Sequence, residues 1–415
     1  MSGHRLSYVK TLMAVATLGL VVLVVLHLVA DSGFRILTAL IEVIGGGVLV
    51  IVACVALGGI LALYRDDAQA KGKMDLFYAS NEPRSERALA ARRPGMGILL
   101  RRLWRHLLGG RWLLVGDVVE IRSLEEIGKK LDSSGCLDRL PFMPEMARFC
   151  GRRARVFRCV DKIYDYGRSK TLRRLKGVVL LGGLRCDGNS HGGCQASCYL
   201  LWKQAWLKPV DEAGPALEWT GHDAPATWHE RASSAGKYTC QYTQLAAAST
   251  PMTRWDVRQD LRPLVSGNVT LGAFCVAILT RLFNAVQEAR GGVPYPSLTP
   301  GTGSPTRPAG RSLAPGDTVR VRAMEDIVAT LDQGSRHRGL WFDRDMVKHC
   351  GQRYSVLKRV DRIIDDATGR MLEMKTPCVV LAGAEASGEF LRFCAQHEYP
   401  FWREAWLVRE SPEGR

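Results

Sequence analysis

The residues from Gly116 to Leu207 recur from Gly316 to Leu407 at a constant offset of 200 positions, with no gap in either copy. Matched pairs include Gly116/Gly316, Asp117/Asp317, Cys150/Cys350, Gly151/Gly351, Asp161/Asp361, Asp165/Asp365, Cys194/Cys394, Trp202/Trp402 and Trp206/Trp406. Internal self-similarity at a fixed period fixes the architecture before any local pattern is read, because each copy must fold as the same unit. A unit of this length buries only a modest core, and small cores of this kind are commonly supplemented by a metal or by a partner surface.

Within each copy, Gly-Asp opens an alternating stretch, Val118–Arg122 or Thr318–Arg322, which reads as a strand with one buried face. A short helix is expected over Leu124–Leu131 and Met324–Leu331. Its acidic first turn (Glu125 and Glu126; Glu325 and Asp326) suits the positive end of a helix dipole. Ala154–Tyr164 and Tyr354–Ile364 alternate as a long strand, Val178–Leu181 and Cys378–Leu381 as another, and the copies close on Leu201–Leu207 and Phe401–Leu407. Asp161 and Asp165 read as exposed positions closing a strand into a turn. The expected unit is a small, mainly-β module of SH3-like barrel type with short helical insertions.

The chain before the repeat has a different character. Thr11–Ala30 carries no charge and reaches the length of about 20 residues needed to cross a bilayer as a helix. Ile36–Tyr64 is a second apolar run, interrupted by Glu42 and by Gly45–Gly47, and only residues 31–35 separate the two. A cleaved signal peptide fits the first run less well, since it is too long and places Leu28 where a small residue is needed. The net charge of +16 is unevenly spread: residues 65–111 hold eleven Lys and Arg against five acidic residues, a local excess of +6. Basic flanks stay on the cytoplasmic side. The expectation is an α+β protein of the inner membrane, with a two-helix transmembrane hairpin and both termini cytoplasmic. Ile98–Leu108 places Leu100, Leu103, Trp104 and Leu107 on one helical face and Arg101, Arg102 and Arg105 on the other, a pattern suited to anionic lipid headgroups. Beside two membrane runs that charge favours lipid, and nucleic acid is not the expected partner.

Twelve cysteines form the second strong signal. In a reducing compartment, clustered cysteines act as metal ligands or reactive thiols rather than as disulfides. Module 1 holds Cys186, His191, Cys194 and Cys198 within thirteen residues, with Cys150 and Cys240 as distant candidates. Module 2 offers Cys350, Cys378, Cys394 and His397, but has Ala386 and Leu391 where module 1 has Cys186 and His191. Thiolate with imidazole in a four-coordinate set is the environment zinc prefers, and a closed set would staple a small core. An iron–sulfur cluster draws on the same thiolates and would be told apart by its visible absorbance. Cys150, Cys350 and Cys378 also fit as buried small apolar residues. His191, three residues before Cys194, could lower a thiol pKa, which opens an enzymatic alternative centred on this cluster.

Between the modules, Thr270–Arg290 is apolar at helical spacing and ends at Gly291-Gly292, while residues 291–315 are rich in Pro, Gly, Ser and Thr and read as an unfolded tether that lets module 2 reach independently. The chain divides into a membrane hairpin (1–64), a basic juxtamembrane segment (65–115), module 1 (116–208), a connector with an amphipathic helix (209–290), a disordered linker (291–315) and module 2 (316–408). From Pro141 to Lys208 the string PFMPEM…FCG…CDGNSHGGCQASC…W…AWLK, and from Gly339 to Leu407 GLWFDRDM…CG…YPFWREAWL, resemble an uncharacterised bacterial family of duplicated cysteine-bearing modules. That resemblance implies no assigned activity and supplies no catalytic residues. With no nucleotide-binding or hydrolase motif in the chain, the expectation is a membrane-anchored scaffold that presents two metal-stapled modules to a cytoplasmic protein partner. A metal- or thiol-dependent enzyme centred on the module 1 cysteines is the alternative.

Overall fold

A computed structural model describes residues 112–210, 232–233, 236–253, 258–298 and 312–410. In module 1 the elements run β1 (Val118–Ile121), α1 (Leu124–Gly128), β2 (Cys136–Leu137), β3 (Leu140–Pro141), a 3-10 turn (Pro144–Phe149), β4 (Arg153–Asp165), β5 (Thr171–Leu181), a second 3-10 turn (Asn189–His191), β6 (Trp202–Lys203) and β7 (Leu207–Pro209). The connector contributes β8 (Ala232–Ser233), β9 (Lys237–Tyr238), α2 (Leu245–Ala248), β10 (Thr250–Pro251), α3 (Arg258–Val265) and α4 (Leu271–Ala289). Module 2 repeats the first with β11 (Thr318–Val321), α5 (Met324–Val328), β12 (Arg336–His337), β13 (Leu340–Trp341), β14 (Arg353–Ile364), β15 (Met371–Leu381), β16 (Trp402–Arg403) and β17 (Leu407–Arg409).

All pairings are antiparallel. β4 lies between β1 and β5, while the closing segment pairs with β5 through β6 and with β1 through β7. One short stretch of chain thus bonds to both edges of the meander and closes it, which removes the exposed edges that an open sheet would leave. β14, β15, β11, β16 and β17 repeat the arrangement. The long strands carry register shifts at Val156/Arg158 and Val160/Lys162, and at Val356/Lys358 and Val360/Arg362 in the second copy. Such bulges add the twist and bend that a small closed sheet requires.

The helix after β1 stops at Gly128, earlier than the expected Leu131, with Ser123 and Glu126 forming a reciprocal capping box at its start. Inside each closed sheet Phe142 meets Trp206 edge to face at 5.3 Å and Phe342 meets Trp406 at 5.4 Å, so the repeated Trp-x-x-x-Trp supplies the centre of both cores. Asp165 does close a turn, accepting from the amides of Arg168 and Ser169, but it is buried rather than exposed.

The modules pack on each other about an approximate twofold relation. Cys194 Sγ accepts the amide of Ile364 at 3.4 Å, and Cys394 Sγ accepts the amide of Tyr164 at 3.3 Å, the same contact exchanged between copies. Arg185 lies 3.8 Å and 3.9 Å from the ring centres of Tyr199 and Tyr399 and faces Glu385, its own counterpart, at 3.9 Å. A surface that meets its own copy in this way is self-complementary, as in a twofold dimer. The connector ties the pair together: Asp260 in α3 bonds to Arg281 of α4 and to Arg392 of module 2, and Phe274 stacks on Phe393. Module 2 is therefore docked on module 1, not held on a free tether. Residues 291–298 are anchored where Tyr295 exchanges two hydrogen bonds with Asn284, and the remainder of the expected linker, 299–311, lies outside the described residues.

The expected α+β class with a transmembrane hairpin is corrected. The described chain is mainly β, and among the described residues no helix is long and apolar enough to cross a membrane, α4 included. The segments read as the hairpin and as the basic interfacial helix, 1–64 and 98–108, lie outside the described residues. A transmembrane protein of the inner membrane with cytoplasmic termini is accordingly not supported by any described element.

Candidate metal centre

Three elements of module 1 converge at one end of the closed sheet. The 3-10 turn after β3 supplies Glu145, the strand-like extension beyond β5 supplies Cys186, and the turn over Asn189–His191 supplies His191. Gly188 and Gly192 bracket that last turn at φ +77° and +75°, a left-handed conformation that glycine adopts without penalty. A Cβ on Gly188 would land on the carbonyl of Cys194, so the tight return of the loop requires glycine there.

Cys186 Sγ lies 3.3 Å from His191 Nε2 and 3.4 Å from Glu145 Oε1. His191 Nδ1 is 3.9 Å from Glu145 Oε1 and 3.0 Å from Ser190 Oγ. The Ser190 hydroxyl donates to Glu145 Oε2. Its oxygen is then left to accept from His191 Nδ1, which puts the imidazole proton on Nδ1 and the bare lone pair on Nε2, facing Cys186. His191 and Glu145 are only 2% and 6% exposed, and Cys186 is half-buried. Burial, reinforced by the Glu145 charge, pushes the Cys186 thiol well above its ordinary value, while burial holds the His191 imidazole below its own. Without an ion the group rests as thiol and neutral imidazole. A thiolate nucleophile needs the reverse shifts.

One ligand atom from each of Glu145, Cys186 and His191 falls within 4.8 Å of the others, so this group could hold a metal ion. Donors about 2.0–2.3 Å from a tetrahedral ion stand roughly 3.3–3.8 Å from one another, which matches the sulfur–nitrogen and sulfur–oxygen separations here. Beside them lies a cavity of about 30 Å³, walled by Met143, Cys194, Cys198, Cys240, Tyr242 and, from module 2, Asp366. A cavity of this size accommodates a water or two.

Of the ten ligands expected from sequence, the structure brings Cys186 and His191 into one group and lines the adjoining cavity with Cys194, Cys198 and Cys240. Cys194 is engaged with the Ile364 amide. Cys150 and Cys350 are half-buried outside the group, their thiols pushed up to about 11 and about 12 by burial. Cys378 is buried under Arg403, whose Nη1 donates to it at 3.1 Å, and Cys394 serves the contact between modules. His397 bonds to the Ala386 carbonyl at 3.0 Å and packs on Phe157 at 4.9 Å. Among the described residues no metal-competent group forms in module 2.

Glu145 was not foreseen, although the repeat carried a signal for it. Its counterpart is Asp345, so a carboxylate recurs directly before a methionine, Met146 or Met346, in both copies. The two carboxylates are satisfied differently. Asp345 accepts from Ser387 Oγ at 2.6 Å and from the Gly388 amide at 2.9 Å, and pairs with Lys348 at 3.2 Å. Burial opposes its ionisation, but the Lys348 ammonium and these two donors outweigh it and hold the carboxyl below the ordinary range. In module 1 the residue matching Lys348 is Arg148, and it turns away to Asp187 at 2.6 Å. Comparison with known protein families, with curated proteins and with solved structures finds no match for this chain.

Proposed function

We propose that this chain is a zinc-binding, two-module binding protein in which module 1 alone carries the ion, on Glu145, Cys186 and His191, and module 2 serves as its metal-free brace. The observation that carries this reading is the contrast between the paired carboxylates. Asp345 has its cation built in as Lys348, whereas among the described residues Glu145 has no Lys or Arg partner and faces a thiol and an imidazole instead. A buried carboxylate calls for a compensating positive charge, and a sulfur, nitrogen and oxygen donor set suits zinc. An iron–sulfur cluster requires several converging thiolates, and only Cys186 joins the group.

A zinc-dependent enzyme is the second reading, supported by the donor count, since catalytic zinc sites keep three protein ligands and an open position. The adjoining space weighs against it. About 30 Å³ has room for a water or two beside the three ligands and little for a substrate.

The test is calorimetric titration of the metal-free chain with zinc in buffers of different ionisation enthalpy. Because the Cys186 thiol is pushed up and the His191 imidazole pushed down, uptake at neutral pH should displace a proton from sulfur and none from imidazole. One zinc per chain, about one proton released and an affinity falling about tenfold per pH unit on acidification are expected. No uptake, or uptake without proton release, contradicts the reading.

A further inference from the structure

Beyond β5 the chain makes one more antiparallel pairing, a bridge between Arg185 and Tyr199, flanked by bonds from the Cys186 amide to the Cys198 carbonyl at 2.8 Å and from the Leu200 amide to the Leu184 carbonyl at 3.1 Å. That register sets Cys186 directly opposite Cys198. Residues opposite each other in an antiparallel ribbon project to the same face, with Cα atoms about 4.5–5.5 Å apart. Disulfides span Cα separations of about 4.4–6.8 Å. Both side chains line the same cavity, both are free thiols, and both are half-buried rather than sealed. One of them is a proposed zinc ligand and the other is not in the ligand group.

We propose that Cys186 and Cys198 form a reversible disulfide that withdraws the only thiolate from the metal group and releases the ion. The proposal rests on the zinc reading above for the release, and on the backbone register alone for the pairing. The oxidant is a low-molecular-weight disulfide. Zinc ligation keeps Cys186 a thiolate, so Cys186 attacks it and expels one reagent thiolate; the Cys198 sulfur then attacks the resulting mixed disulfide at Cys186, losing its proton, and expels the other. Two protein sulfurs are oxidised by two electrons and the reagent is reduced to two thiols. The Cys198 proton goes to one departing thiolate and solvent protonates the other; the electron pair that Cys186 had given to zinc makes the mixed disulfide and leaves with the second thiolate, and the Cys198 pair makes the final S–S bond. A dithiol reductant reverses the exchange. Cys194 is held otherwise, through its sulfur to the Ile364 amide, and stands four residues from the facing position.

The experiment uses the full zinc-loaded chain with oxidised glutathione and a chromogenic zinc chelator. Release of zinc together with the loss of two thiols is expected, with recovery after dithiothreitol. Cleavage before Asp187 separates Cys186 from the peptide holding Cys194 and Cys198, so the two peptides should remain joined until reduction, and should remain joined in Cys194→Ser. Cys198→Ala and Cys198→Ser should bind zinc as the unchanged chain does, yet release it at least about tenfold more slowly under oxidant. Equal release rates from these variants, or a disulfide that disappears in Cys194→Ser, would overturn the proposal. A chain that holds zinc but never forms this disulfide refutes the pairing and leaves the zinc reading standing. A chain that forms it without ever taking up zinc refutes the zinc reading, and with it the release.

Discussion

Replacing Cys186 with serine should weaken zinc binding by at least about a hundredfold, since even partners that only orient a ligand cost about 10–100-fold when removed. The loss should leave the metal-free fold largely intact, because Cys186 is half-buried and packs against the core without being one of its fully buried members such as Phe142, Trp202 and Trp206. Cys394→Ser provides the contrast. Its sulfur accepts the Tyr164 amide in the contact between modules, so the substitution should leave zinc affinity within a few-fold of the unchanged chain while lowering stability. Equal loss of zinc from both variants would mean that the ligands are shared between modules. Isothermal titration and a denaturant curve on each variant separate the outcomes.

Gly188→Ala should be the most disruptive single-methyl change in the site. The residue sits at φ +77° and its Cβ would fall on the Cys194 carbonyl, so backbone strain of about 1–3 kcal/mol adds to an overpacking cost of about 1–3 kcal/mol. Its amide also donates to Cys186 Sγ at 3.3 Å, so relaxation of the clash moves a ligand. Gly388 is its twin, at φ +74° with its Cβ directed onto the Cys394 carbonyl. Gly388→Ala should therefore cost comparable stability, measured as a shift in the denaturant midpoint, yet retain zinc, whereas Gly188→Ala should lose both. Retention of zinc by Gly188→Ala would separate the loop from the site.

Much of this was legible in the sequence, for identifiable reasons. The constant offset announced two equal units, alternation located β1, β4 and their copies, and Thr270 followed by an apolar helical stripe located α4. Cys186 and His191 stood out because their residue types are metal ligands a few positions apart. Glu145 did not, since its approach to Cys186 depends on closure of the sheet, and 41 residues separate the two. Cys194 and Cys394 were misleading for a related reason: sulfur is a soft ligand, but it is also a weak hydrogen-bond acceptor, and only the docked pair of modules shows that both sulfurs serve backbone amides. The independence expected of module 2 failed because a self-complementary surface has no periodicity to read. Arg185, Glu385, Tyr199 and Tyr399 look like ordinary positions until the copies meet. The apolar runs before residue 65 suggested membrane helices by length alone, and no described element carries that reading further.

On the zinc reading, one sulfur, one imidazole and one carboxylate of module 1 share an ion. Zinc-edge X-ray absorption on the loaded full chain reads that donor set. A first shell with a single sulfur at about 2.3 Å and the remaining donors nitrogen or oxygen at about 2.0–2.2 Å is predicted; a shell of three or four sulfurs, or one with none, would contradict it.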